Sequence, residues 1–295
     1  FREIALAEIE IIISELGTNI VKHAKAPGEI LFQAVRDGNI RGIEIIAKDQ
    51  GKGIHIADIS DNEGISSEGS LGIGLAGARR LSDEFEISEE NGAVVRAKKW
   101  MAADYDVQVK CSVLAKPKFG EIVSGDAFFY KHLPSYAVFS VIDALGHGPE
   151  AHRVAEMVRK ILDTEYRKDL LSIAEYCHQR LKGSRGAAIA IGKIDFRTRM
   201  FHHIGIGNIE TRIYGGSALL RPSYANGTLG MSIEGAGVGE YPYTKGLCIV
   251  MFSDGISGRF DIDAAVLRRT VQEISHSIFS KYAKDHDDAT VMVVR

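Results

Sequence analysis

The chain has 295 residues, of which 45% are hydrophobic and 25% are charged, and its formal net charge is −3. This composition excludes intrinsic disorder as the main state, and a length about twice that of a common single domain predicts two domains. No apolar run approaches the roughly 20 residues of a membrane span and no basic stripe suits a phosphate backbone, so neither a membrane nor a nucleic acid is an expected partner. Three widely separated cysteines argue against a disulfide framework and predict a cytoplasmic protein.

The first hundred residues predict a long helix, about 2–25, and strands near 30–36 and 42–48. After them we expect a glycine-rich segment, a helix after Gly74 and a terminal strand, Ala93–Trp100. Along the first helix, apolar residues recur at helical spacing, while Glu15 and Asn19 lie one turn apart on a polar stripe. Such a pair, taken alone, is most often a solvated helix face.

The remaining residues predict a second set of elements after a short connector at 101–104. We expect strands near 106–115, 122–131, 136–143, 187–196, 199–204, 209–214, 247–252 and 289–294, and helices near 149–166, 169–182 and 262–282. The mixture of hairpins and helices predicts an α+β protein with domains at 1–100 and 105–295. Because the chain opens directly into a helix with no initiator Met, we expect further residues upstream.

Two glycine-containing segments of the first domain suit a nucleotide. The first segment follows a strand and has the pattern Asp-x-Gly-x-Gly, formed by Asp49, Gly51 and Gly53. The second contains Gly72 and Gly74 at the start of a helix. Glycines there let backbone N–H groups approach an anion. Each segment alone is weak evidence for a nucleotide site. The pattern of the first also fits an ordinary hairpin turn, and the second lacks the Lys-Ser/Thr ending of a P-loop.

Together with Glu15 and Asn19, the order and spacing of these segments resemble the GHKL ATPase (Bergerat) fold of histidine kinases. The sequences of residues 15–24 and 72–85 are similar to those of the RsbT-like switch-protein serine kinases. The resemblance implies that Asn19 holds Mg²⁺ against the triphosphate of ATP and that Glu15 is a general base toward the attacking hydroxyl. It further implies adenine contacts from Asp49, Gly51 and Gly53, and a phosphate-covering lid at Gly72 and Gly74. Ala93 departs from this family, which usually has Thr there.

Four aspartates of the second domain recur beside glycine or another acid at the ends of probable strands. They are Asp126, Asp143, Asp254 and Asp287. Any one of them fits an ordinary turn, since Asp and Gly favour turns. Four oxygen ligands without zinc-type spacing suit Mg²⁺ or Mn²⁺, and two such ions can direct a water at phosphorus.

The pattern of these aspartates, together with the segments 120–126, 143–151, 185–188 and 205–208, resembles the metal-dependent phosphatases of the PPM/SpoIIE type, and among them the RsbX-like phosphatases. The resemblance implies an αββα sandwich in which Asp126 and Asp143 hold the paired ions, helped by the Ala144 carbonyl. Asp254 and Asp287 would complete the site, and Asp288 is not an expected ligand.

Both resemblances together imply a protein serine/threonine kinase fused to the opposing phosphatase. The implied substrate is a STAS-domain protein, either an anti-sigma antagonist or a stressosome scaffold, with a sigma-regulatory protein as a further partner. The alternative is an ATP-binding module that sequesters a STAS protein or sigma factor without turnover, joined to an active phosphatase. Retention of Glu15 and Asn19 favours the enzyme. A histidine kinase is disfavoured because no dimerising helix with a phospho-acceptor His precedes the ATP-binding segments.

Overall fold

The computed structural model describes residues 1, 3–23, 28–37, 40–50, 74–89, 92–101, 109–216 and 218–295. The chain divides into two compact units, Phe1–Tyr105 and Asp106–Arg295. Most of the expected connector at 101–104 lies outside the described residues, as do Gly51, Gly53 and Gly72. No described helix is both long enough and apolar enough to cross a membrane.

The first unit has two helices on one antiparallel sheet. Its elements are α1 (Glu3–His23), β1 (Glu29–Asp37), β2 (Ile40–Lys48), α2 (Gly74–Leu81), β3 (Glu84–Glu89) and β4 (Ala93–Trp100). The sheet order is β1-β2-β4-β3. The apolar stripe of α1, including Ile12 and Leu16, packs on Ile45 of β2 and Val95 of β4, because one apolar face of an amphipathic helix must be buried against the sheet.

The second unit contains two antiparallel sheets. Its strands are β5 (Cys111–Lys116), β6 (Asp126–His132), β7 (Tyr136–Ala144), β8 (Ala187–Asp195), β9 (Met200–Ile206), β10 (Glu210–Tyr214), β11 (Gly239–Pro242), β12 (Cys248–Phe252) and β13 (Ala289–Val294). Its helices are α3 (Gly148–Glu165), α4 (Leu170–Arg180) and α5 (Val271–Tyr282). The sheets have the orders β10-β12-β13-β5 and β11-β9-β8-β7-β6.

Helices cover the outer faces of both sheets. The helices α3 and α4 pack on the five-stranded sheet, and α5 packs on β5 and β13 of the other. The strands β12 and β13 are buried along their whole length, as expected for strands covered on both faces. The second unit is therefore an αββα sandwich, as expected.

Several expected bounds are wrong. The strand expected at 122–131 begins only at Asp126, and the helix expected at 262–282 begins at Val271 after a short 3-10 turn, Val266–Arg268. The edge strand β11 was not expected. In the first unit the strand Ala93–Trp100 and the helix after Gly74 are confirmed.

Candidate functional site

Strand ends from both sheets of the second unit bring the four aspartates to one edge of the sandwich. Asp126 begins β6 and is paired with Asp143 near the end of β7. Asp254 follows β12 and Asp287 precedes β13, and these two strands are antiparallel neighbours. In antiparallel sheets the end of one strand adjoins the start of the next, so the four residues converge although they are far apart in the sequence.

Asp126 is the most enclosed of the four side chains. Its Oδ2 accepts a hydrogen bond from Ser253 Oγ at 2.6 Å, and Ser253 Oγ accepts one from Thr290 N at 3.0 Å. Its Oδ1 is buried and has no hydrogen-bond partner among the described residues. A buried carboxylate oxygen without a partner is costly, which is the situation that a cation relieves.

The electrostatics of the cluster favour bound positive charge. Burial raises the pKa of Asp143, and the nearby carboxylates of Asp126, Asp254 and Asp287 raise it further. Burial also raises the pKa of Asp126, against the lowering effect of the hydrogen bond from Ser253. The pKa of Asp254 is raised by burial and then by Asp287. Neighbouring carboxylates repel one another when ionised, and a bound cation would offset this repulsion.

Two neighbours hold Asp254 in position. Asn208 Nδ2 donates a hydrogen bond to Asp254 Oδ2 at 2.7 Å, and Lys284 Nζ donates to the backbone carbonyl of Asp254 at 2.6 Å. Sequence reasoning assigned no role to Asn208, Lys284 or Ser253. The sequence signals for two of them are that Asn208 ends the segment 205–208, which carries the family resemblance, and that Ser253 immediately precedes Asp254.

Asp288 organises the backbone around the site. It is 3% exposed, and both of its carboxylate oxygens accept backbone N–H groups, Oδ1 from Lys118 at 2.9 Å and Oδ2 from Gly125 at 2.9 Å. Its own N–H donates to Asp287 Oδ1 at 3.0 Å. Asp288 therefore fixes the segment that leads into Asp126 and the carboxylate of Asp287 at the same time.

A cleft of about 580 Å³ opens over the cluster. Asp143, Asp254 and Asp287 line it together with Asn208, whereas the buried Asp126 is not one of its lining residues. Ala144 is fully buried at the end of β7, and its N–H donates to the Gly125 carbonyl at 3.1 Å. Other lining residues are Leu145, Gly146, His147, Ala188, Gly207, Tyr224, Asn226, Gly227 and Thr228.

The ligand atoms suit divalent cations that keep part of their water shell, rather than cations that are bound by protein atoms alone. Among the described residues, no group of three or more His, Cys, Asp and Glu side chains forms a metal site by itself. Mg²⁺ keeps several waters and binds through one or two carboxylates, so a complete protein cage is not required. The unpartnered Oδ1 of Asp126 and the raised pKa values of its neighbours are the features that fit such ions.

Two of the predicted nucleotide-binding residues of the first unit, Asn19 and Asp49, lie in or directly after elements whose ends adjoin. An ideal Cβ on Gly28 would lie 2.6 Å from both Ile20 Cγ2 and Lys48 O, so the end of α1 adjoins the end of β2. Asn19 and Asp49 neighbour these two contact residues in the chain. Asn19 Nδ2 is buried without a hydrogen-bond partner among the described residues, whereas a solvated polar stripe would leave it in water.

Asp49 is tied to the start of β4. Asp49 N donates to Ala93 O at 3.0 Å, and Ala93 N donates to Asp49 Oδ1 at 3.4 Å. Gly92 has a φ of +144°, and an ideal Cβ there would lie 1.9 Å from Asp49 O, so no other residue fits. Glu15 is half-buried one turn before Asn19, and Gly74 begins α2.

Two family models match different parts of the chain. Residues 134–295, more than half of the chain, match the family described as stage II sporulation protein E (SpoIIE). The chain belongs to the SpoIIE family. The SpoIIE match includes Asp143, Asp254 and Asp287 but begins after Asp126, which joins the site through the pairing of β6 with β7. Residues 1–99 match the histidine kinase-like ATPase domain.

Two curated relatives cover the two parts of this SpoIIE-family chain. The phosphoserine phosphatase RsbX of Bacillus subtilis (strain 168) is 28% identical over 178 residues, which are 60% of this chain and 89% of RsbX. The serine/threonine-protein kinase RsbT of the same organism is 39% identical over 103 residues, which are 34% of this chain and 77% of RsbT. The chain is thus homologous to an opposing kinase and phosphatase, which confirms the predicted family resemblances.

Solved structures confirm the fold. A chain from work on the bacterial stressosome, described as a modular system adapted to control secondary messenger signalling, has a TM-score of 0.60 at 29% identity, covering 64% of this chain and 100% of that chain. RsbX in complex with magnesium has a TM-score of 0.59 at 24% identity, covering 72% and 98%. A PP2C phosphatase domain with a regulatory-domain fragment, from SpoIIE of Bacillus subtilis, has a TM-score of 0.55 at 18% identity, covering 99% and 94%.

Proposed function

We propose that the second unit is a Mg²⁺- or Mn²⁺-dependent phosphoserine/phosphothreonine phosphatase and that the first is an ATP-dependent serine/threonine kinase. Both act on a STAS-domain protein of a partner-switching system. The observation that carries the proposal is the convergence of Asp126, Asp143, Asp254 and Asp287 around a cleft, with a buried oxygen of Asp126 left without a partner among the described residues.

In the second unit, Asp126 and Asp143 would hold the ions, with the Ala144 carbonyl as a further ligand, and Asp254 and Asp287 would complete the set. Bound ions of this kind supply a nucleophilic water and neutralise phosphate charge. Ser253 keeps Asp126 turned toward the cluster, and Asn208 orients Asp254. The cleft of about 580 Å³ has room for a phosphorylated side chain of a protein substrate.

In the first unit, Asn19 would hold Mg²⁺ and Glu15 would act as general base, and Asp49 with Gly51 and Gly53 would contact the adenine. Gly72 and Gly74 would cover the phosphates. The unpartnered amide of Asn19 supports this assignment, because a phosphate oxygen is the acceptor that this donor lacks among the described residues. The kinase RsbT as a relative supports the reaction class.

The choice of a STAS-domain substrate rests on the relatives. One is a phosphoserine phosphatase, another is a serine/threonine kinase, and a similar chain comes from work on the stressosome. Adding a charge of about −1.5 to −2 to a protein surface is enough to create or break a contact with its partner. A chain with both activities would therefore set which partner the STAS protein binds.

The phosphatase is tested with Asp254→Asn. This variant should lose Mn²⁺-dependent release of phosphate from a phosphorylated STAS protein, because a ligand oxygen is replaced by an amide. The matched control is Asp261→Asn, an exposed aspartate of the same unit that does not line the cleft, and it should keep full activity. Phosphate release by Asp254→Asn that also survives chelation would refute the metal mechanism.

The kinase is tested with Asn19→Ala and the neighbouring Thr18→Ala as its control. We expect Asn19→Ala to abolish Mg-ATP-dependent gain of one phosphate by the STAS protein, measured by mass spectrometry with the phosphatase silenced by Asp254→Asn. If the Asp254→Asn chain binds the STAS protein but transfers no phosphate, the first unit is the non-catalytic binding module instead.

A further inference from the structure

The segment before β6 carries the two most exposed large apolar side chains described in this protein. We call residues 118–125 the rim loop. Ile122 is 95% exposed and Phe119 is 88% exposed, whereas the next most exposed large apolar side chain described in the second unit, Met231, is 64% exposed. Exposing two such side chains a few residues apart is costly for a solvated loop, so it indicates a contact surface.

The backbone of the rim loop is firmly held although its apolar side chains are exposed. Glu121 N donates to Lys118 O at 3.0 Å, which closes a turn in which Gly120 has a φ of +91°. Glycine at the third position is typical of a type II turn, and Phe119 occupies the projecting second position. Phe119 N also donates to Asp285 O at 2.9 Å.

Asp288 holds both ends of the rim loop, through Lys118 N and Gly125 N. The exposed side chains are therefore presented by a preorganised backbone. A surface of this kind loses little conformational entropy when a partner binds, which favours affinity.

The rim loop is continuous with the reaction site. Glu121 Oε1 lies 2.6 Å from His147 Nδ1, and His147 lines the cleft. An ideal Cβ on Gly148 would lie 2.8 Å from Glu121 Oε2, so the start of α3 is packed against the loop. At its other end, Gly125 leads directly into Asp126. A phosphorylated side chain in the cleft would thus bring the protein that carries it against this loop.

We propose that the rim loop is the docking surface for the phosphorylated protein substrate, with Phe119 and Ile122 as apolar anchors. The inference rests on the proposed phosphatase function and adds a substrate class to it: a folded phosphoprotein with an apolar patch beside its phosphorylated residue. A small phosphate ester makes no use of the two anchors, because neither residue lines the cleft.

The test compares two substrates on the full chain carrying Phe119→Ala and Ile122→Ala. With a phosphorylated STAS protein and Mn²⁺, we expect KM to rise about tenfold or more while kcat stays near its original value, as for the loss of interface anchors. With p-nitrophenyl phosphate, kcat/KM should not change. Phe119→Leu with Ile122→Val should restore the low KM, and Met157→Ala, an exposed apolar residue of α3 outside the cleft, is the control.

The outcomes separate docking from catalysis. An unchanged KM for the phosphoprotein, with p-nitrophenyl phosphate still hydrolysed, would overturn the docking surface and leave the phosphatase standing. The docking surface is likewise overturned if the double variant changes only the oligomeric state, which would assign the loop to a second copy of the chain. Absence of Mn²⁺-dependent hydrolysis of either substrate by the unaltered chain would overturn the phosphatase and the docking inference together.

Discussion

Asp287 and Asp288 are adjacent in the chain, but their side chains have different surroundings. Asp287 lines the cleft together with Asp254. Asp288 is buried, and both of its carboxylate oxygens accept hydrogen bonds from backbone N–H groups. The family resemblance implies that Asp287 is a ligand and that Asp288 is not, but only the fold shows that Asp288 positions the surrounding backbone.

At this scale we predict that Asp288→Asn weakens Mn²⁺ binding without unfolding the chain. An amide has one acceptor oxygen, so its NH₂ group must face the N–H of Lys118 or Gly125. A buried N–H left without a partner costs about 1–3 kcal/mol. Titration of phosphatase activity with Mn²⁺ should show a higher half-saturating concentration, and circular dichroism should show an intact fold.

Asp261→Asn serves again as the control for that variant. If excess Mn²⁺ restores full activity to Asp288→Asn, the residue acts by positioning the ligands. An unaltered Mn²⁺ titration would contradict the role of Asp288 in fixing Asp126 and Asp287.

Periodicity in the sequence predicted the elements better than their starting points. The strand Ala93–Trp100 has the bounds that the sequence predicts. The helix expected at 262–282 begins nine residues late, since Asp263 Oδ1 accepts the N–H groups of Ala265 and Val266 and favours a local turn. Residues 122–125 of the rim loop are expected to begin a strand, but Asp288 holds the loop instead by accepting the N–H of Gly125, a long-range contact that no local pattern encodes.

The edge strand β11, Gly239–Pro242, was missed for a different reason. It contains glycine and proline, which are depleted in strands, and it pairs only with β9 among the described elements. Its strand conformation therefore depends on an available edge, which is a property of the folded sheet.

The true start of α5 gives a prediction at the scale of the element. Thr270 Oγ1 accepts the Glu273 N–H at 3.2 Å and Glu273 Oε2 accepts the Thr270 N–H at 2.8 Å, which together form a capping box. Thr270→Ala should lower the free energy of unfolding of the second unit by about 1 kcal/mol, and Thr270→Ser should restore most of it. Urea titration followed by circular dichroism measures both. Equal stability of the Ala and Ser variants would contradict the cap.

At the scale of the whole molecule, the candidate metal site exists only when two sheets have come together. The resemblance to known phosphatases supplied the four aspartates, but Ser253 and Asn208 became visible only once β12 and β9 lay beside the other strand ends. In the first unit, the sequence resemblance supplied the candidates Glu15, Asn19 and Asp49, but the burial of the Asn19 amide is not predictable from its polar stripe.

Assembly of the site concentrates carboxylates, so it should make the metal-free protein sensitive to pH. The pKa values of Asp126, Asp143 and Asp254 are all raised in the folded state, first by burial. The folded state therefore holds protons that the unfolded chain has already released above about pH 4. These carboxyl groups therefore favour the folded state at low pH, and this contribution to the free energy of unfolding is lost as the pH rises through their raised pKa values.

One buried group acts in the opposite direction. Burial lowers the pKa of His203 to about 4, so its contribution to stability is lost as the pH falls below the ordinary histidine value of about 6.5. A comparison with Asp143→Asn isolates the carboxylates, because both chains keep His203.

In EDTA, we expect the melting temperature of the second unit to fall more steeply with rising pH in the unaltered chain than in Asp143→Asn. The variant should be the more stable of the two above neutral pH, since one carboxylate of the repelling cluster is gone. Mn²⁺ should reverse this order by stabilising only the chain that retains its ligand, since a ligand that binds the folded state stabilises it by mass action. Calorimetry at several pH values, with and without Mn²⁺, measures each slope. Parallel slopes in EDTA would mean that the four carboxylates do not share a repulsive site.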